Sequence, residues 1–147
     1  MDIIGYRENG STSNIERVFL YKDSGATSGT EGDPITGLTH GSTGLIISTI
    51  ADGEATATAE SVAGTDDIED ITTLGTYAAP TAGKVRFKEV DATNHPGLYE
   101  IQLADARYAV SGANYLDICI SGVADLATVT YRVWLDVLTS ADLGLLY

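Results

Sequence analysis

What most constrains this chain is how its apolar residues recur. From residue 15 onward they come in short alternating runs broken by Gly, Ser, Thr, Asp and Asn, and no stretch keeps a 3.6-residue period long enough for a major helix. Alternation sends successive side chains to opposite faces of an extended chain, so each run reads as a strand with one buried and one wettable face. The clearest run is 127–138. Ala127, Val129, Tyr131, Val133, Leu135 and Val137 fall on one face, and Thr128, Thr130, Arg132, Trp134, Asp136 and Leu138 on the other. This is expected to be the longest strand. It turns Trp134 away from the main core, so the indole needs another cover, either a neighbouring loop or a subunit contact.

The remaining runs follow the same logic. Residues 15–22 read as the first strand, and the small polar segment 23–34 as a surface loop or arm. Segments 34–39 and 45–50 lead to Asp52-Gly53, the preferred pair for a tight two-residue hairpin, with 54–62 as the returning strand. Residues 68–74 fit either a short strand or a single helical turn. In 84–90, Lys84, Arg86 and Lys88 share a wet face opposite Val85 and Phe87. A turn at Asn94-His95-Pro96-Gly97 precedes 98–103, with Tyr99, Ile101 and Leu103 on one face and Glu100 and Gln102 on the other. Residues 104–110 suit a short helical turn, and 115–121 align Leu116, Ile118 and Ile120. The pattern predicts an all-β fold, an antiparallel β-sandwich of about 7–8 strands with short terminal arms. It divides into an N-terminal arm (1–14), the sandwich (15–138) and a C-terminal docking tail (139–147).

At 147 residues the chain can bury a sizeable core without covalent staples. Lone Cys119 excludes an intramolecular disulfide framework and a four-cysteine zinc site. The formal net charge is −13, and no Lys or Arg lies between Lys22 and Lys84 while ten acids do. Phosphate-backbone recognition needs clustered cations, so nucleic acid and anionic membrane are poor partners. Apolar runs fall short of the roughly 20 residues that cross a bilayer, and the start has neither a basic n-region nor an apolar h-region. A protein made in a cytoplasm, and not exported by a signal peptide, is expected.

Material for catalysis is thin. His40 and Ser42 sit in LTHGSTG, which lacks the spacing of a nucleophile elbow; His95 belongs to a turn; Cys119 has no basic neighbour and reads as a small hydrophobe. The acidic run 65–70 departs from the EF-hand spacing and reads as a solvated loop. No phosphate-cradling glycine loop is present. The expectation is no enzyme, no catalytic residue, no cofactor and no metal. The ends are more informative. Ile3, Ile4 and Tyr6 at one end, and Leu143, Leu145, Leu146 and Tyr147 at the other, need cover from their own sandwich or from a neighbouring subunit. With Trp134 they form the candidate partner-binding set.

The order VFLYKDSGATSG, ITGLTHGSTGLIIS, VRFKEVDATNHPGLYEIQLADA and a final pair of apolar strands resembles a small β-domain of tailed-bacteriophage virion structural proteins. The likeness spans residues 18–138, and a Pro-Gly-x-Tyr element launching an alternating strand is its most diagnostic part. Similar domains occur in head-decoration proteins, neck or tail fibres and baseplate modules. With no heptads, collagen-like repeat or receptor-binding extension in view, the resemblance implies a capsid decoration (cement) protein on the virion surface, made in the host cytoplasm. It would bind between major capsid protein subunits and self-associate as a homotrimer. A neck, tail-fibre or baseplate structural module, docked on another virion protein, is the alternative.

Overall fold

The structure, a computed structural model, describes residues 1–62 and 67–135. Among these residues, nine strands form two sheets packed face to face. One contains, in spatial order, β1 (Asp2–Tyr6), β9 (Val129–Trp134), β8 (Tyr115–Ser121), β3 (Ile46–Ala51) and β4 (Thr58–Ser61). The other contains β2 (Glu16–Phe19), β7 (His95–Leu103), β6 (Val85–Asp91) and β5 (Ile68–Asp70). The all-β sandwich is therefore as expected, with nine strands instead of seven or eight. It is also mixed: β1 runs parallel to β9 and β5 parallel to β6. Both parallel pairs lie at sheet edges, where long connections replace hairpins.

Alternation builds the core. Val85 and Phe87, Tyr99 and Ile101, Leu116, Ile118 and Ile120, and Val133 are at most 1% exposed. The Phe87 and Tyr99 rings stack at 5.0 Å. The Tyr99 hydroxyl donates to the Ile35 carbonyl (2.9 Å) and accepts from the Leu38 amide (3.3 Å), so residues 35–38 are held down without being a strand. Across the core, the Tyr131 hydroxyl donates to the Phe19 carbonyl and links the sheets. Where the chain enters β3 and leaves β8, Gly44 and Gly122 pass backbone to backbone, both at positive φ.

Several local expectations change. Within the N-terminal arm, residues 2–6 form β1, and Asn9 Nδ2 donates to the Val110 and Ala113 carbonyls. The longest strand is β7, nine residues, whereas β9 has six. His95, Pro96 and Gly97 belong to β7, and the preceding turn is closed by Asp91, whose carboxylate accepts from the Thr93 and Asn94 amides. Gly97 sits at φ +86° inside the strand, and a Cβ there would also meet Phe19 at 2.6 Å and Pro34 at 2.9 Å. Asp52-Gly53 does turn the chain, with the Glu54 amide donating to the Ala51 carbonyl, but the ladder resumes only at Thr58, so this is no two-residue hairpin. Residues 68–70 are a strand, and Asp105–Tyr108 form a 3-10 turn. The tail 139–147 lies outside the described residues.

Candidate interaction surface

The two outer sheet faces differ. On the four-stranded sheet, Glu100 and Gln102 point outward from β7 yet are 0% exposed. Glu100 accepts from Arg17 Nε (3.2 Å) and Nη2 (3.0 Å), from the Gly75 amide (3.1 Å) and from Gln102 Nε2 (2.9 Å). Gln102 in turn accepts from the Ala78 amide (3.0 Å) and donates to the Thr76 carbonyl (3.0 Å). Tyr77 donates to the Leu103 carbonyl at 2.9 Å, and burial pushes its hydroxyl up to about 12. The connection between β5 and β6 is thus clipped flat over this face. An apolar outward row was not needed, because buried polar groups with every partner in place serve as well.

No described segment is clipped in this way over the outer face of the five-stranded sheet. Register defines its rows: Tyr6 beside Trp134 beside Tyr115, then Ile3 beside Arg132 beside Asp117 beside Ile50. Tyr6 is 66% and Ile3 49% exposed, and the outward residues of β8 and β9 all remain partly exposed. Tyr115 meets Trp134 edge to face at 5.7 Å. The Arg132 guanidinium lies 3.7 Å over the Tyr115 ring and 5.3 Å from that of Trp134. Asp117 holds it in a two-pronged bond, Nε to Oδ1 at 2.8 Å and Nη2 to Oδ2 at 3.0 Å, and raises its pKa further. The fork fixes a planar cation on aromatic faces before any partner arrives, and such a preordered surface loses little side-chain entropy on binding. Tyr, Trp and Arg are also the residue types that dominate binding hot spots.

Of the sequence-derived set, Ile3, Tyr6 and Trp134 come together here. Ile4 turns the other way and packs against the core. Among the described residues, Trp134 meets Tyr115 and Arg132 on its own sheet. Leu143, Leu145, Leu146 and Tyr147 lie outside the described residues. Sequence reasoning placed Arg132 on the Trp134 face without giving it a role and passed over Tyr115, although Tyr115 alternates with Leu116 and so had to face outward.

The other singled-out residues are scattered. His40 Nδ1 lies 3.9 Å from Asp70, and Ser42 Oγ accepts from the Thr39 amide in a turn. His95 stands exposed opposite Asp91. Cys119 is partly exposed on the open face between Ser48 and Thr130, instead of buried as a core hydrophobe, because it alternates with Ile118 and Ile120. In the acidic run, Glu69 pairs with Arg86 at 3.0 Å and Asp70 with Lys88 at 3.3 Å; residues 65 and 66 lie outside the described residues. No group of three or more His, Cys, Asp or Glu among the described residues is arranged to hold a metal ion.

Protein-family models, curated proteins and solved structures give no match to this chain. Its fold and surface define a two-sheet β-sandwich with one face sealed by its own chain and the other bearing an aromatic-arginine cluster.

Proposed function

We propose that this chain is a structural protein of a tailed-phage virion, a capsid decoration (cement) protein that docks through the outer face of its five-stranded sheet between major capsid subunits. The supporting observation is the preordered Tyr6, Trp134, Tyr115 and Arg132 cluster on that face, beside exposed Ile3. The viral part of the reading rests on the resemblance over residues 18–138. Self-association as a homotrimer on the head, through the same or an adjoining surface, belongs to this reading. Non-catalytic docking needs shape and desolvated anchors, which this face supplies, and a formal net charge of −13 disfavours unspecific self-association.

The test is immunogold labelling of intact particles together with sedimentation of purified protein on heads that lack it. Label over the head and co-sedimentation that falls at least about tenfold for Tyr6→Ser are expected. Label confined to the neck or tail tip would replace the head assignment with the neck, tail-fibre or baseplate module. Failure to bind any particle would overturn the virion reading.

A further inference from the structure

A second feature is independent of the open face. Between the sheets, where β4 comes closest to the start of β6 and the 3-10 turn, lies a cleft of about 150 Å³. Ile47, Val85 and Leu103 give it apolar walls, and Glu60, Lys84 and Arg107 bring charge to it. Arg107 is already committed: its guanidinium bonds Glu54 at 2.6 and 3.2 Å and the Thr49 hydroxyl at 2.7 Å. Lys84 is not. Six of the eight Lys and Arg side chains form ion pairs with carboxylates, and Lys84 has no such partner among the described residues.

Glu60 stands on the opposite wall. It pairs in register with inward-facing Ile47 and so points toward the space between the sheets, although β4 is an edge strand. Burial and the neighbouring acid Asp67 raise its pKa, against a smaller opposing pull from the Arg107 cation. An acid and an amine of opposite sign thus face one small apolar cleft from two sheets without pairing with each other. A group that fits must offer donors to one wall, acceptors to the other and an aliphatic body to the floor.

We propose that this cleft binds a free zwitterionic amino acid with an aliphatic side chain, its ammonium on Glu60, its carboxylate on Lys84 and its side chain against Ile47, Val85 and Leu103. The size agrees, since an apolar cavity of about 150 Å³ accommodates a benzene-sized body. A leucine-sized side chain fits, and an indole does not. An ammonium on Glu60 would also relieve the repulsion between that carboxylate and Asp67.

The test is a methyl-detected NMR titration of the full chain, following Ile47, Val85 and Leu103, with L-leucine and two stripped analogues. One is 4-methylpentanoate, which lacks the ammonium; the other is 3-methylbutylamine, which lacks the carboxylate. Leucine is expected to shift these three residues and to bind at least about tenfold more tightly than either analogue, because each analogue leaves one charged wall unpaired. Lys84→Gln should abolish the preference for leucine over the amine, and Glu60→Gln the preference over the acid. Equal binding of all three compounds, or no shift at these methyls with millimolar leucine, overturns the proposal. The comparison of ligands uses the unaltered protein, so it stands even if a variant folds poorly.

Discussion

Glu16 is 1% exposed, and its Oε1 accepts from Arg7 Nε at 3.0 Å and from the Tyr108 hydroxyl at 3.2 Å. Burial outweighs both partners and raises its pKa above the ordinary 4.5. A carboxyl whose folded pKa is raised contributes stability in full below its unfolded pKa and loses it as pH climbs through the folded one. Urea unfolding at several pH values should therefore show wild type losing ground to Glu16→Gln as pH rises above about 4.5. A gap that stays flat or favours wild type would mean that the Arg7 pair outweighs burial. Tyr99→Phe isolates a second buried hydroxyl: the ring stack on Phe87 survives, while the Ile35 carbonyl and Leu38 amide lose their partner. A loss of about 1–2 kcal/mol is expected, with faster hydrogen exchange at the Leu38 amide. Glu100 and Gln102 show where residue-level reading stops. Alternation assigned their face, but their dryness depends on Gly75, Thr76 and Ala78, more than twenty residues upstream, and no local pattern reports a loop laid across a sheet.

Strands β3, β6 and β8 were legible to within a residue or two, because each is bounded by turn residues and alternates cleanly. β1 was not legible. Five residues with a glycine in fourth place carry no clear alternation, and the partner that makes them a strand lies more than 120 residues away. The glycine crossing at Gly44 and Gly122 was equally hidden, since a contact between two backbones leaves no trace in apolar patterning. It makes a sharp prediction. A methyl on Gly122 would run into the Gly44 carbonyl and sit at φ +93°, so Gly122→Ala should cost about 3 kcal/mol or more, or abolish folding. Gly53→Ala, at φ +86° with nothing within 4 Å, should cost only about 1 kcal/mol in backbone strain. Thermal melts of the two variants separate crowding from conformation; equal losses would show that strain alone matters at both sites.

At the scale of the whole molecule, the sandwich was readable because nearly every strand keeps one apolar face, and half of the open surface was readable because Trp134 had to face away from that core. The rest of the surface needed the strand order, which brings Tyr6, Trp134 and Tyr115 into one row from three separated segments. Because that row is partly exposed and lies outside the core, Tyr6→Ser should leave the melting temperature within a few degrees of wild type while weakening the attachment to a virion proposed above. Equal loss of stability and attachment would make Tyr6 a fold residue. The row also has a consequence for biosynthesis. Two of its columns are β1 and β9, the first and last of the described strands, and among them β1 has no other hydrogen-bonded neighbour in its sheet. β9 must leave the ribosome before the two can meet, more than 120 residues after β1, so contact order is high and closure comes late. A product that stops before β9 cannot assemble the row at all. The open face thus doubles as its own quality control, since the row exists only in chains whose two distant strands have met.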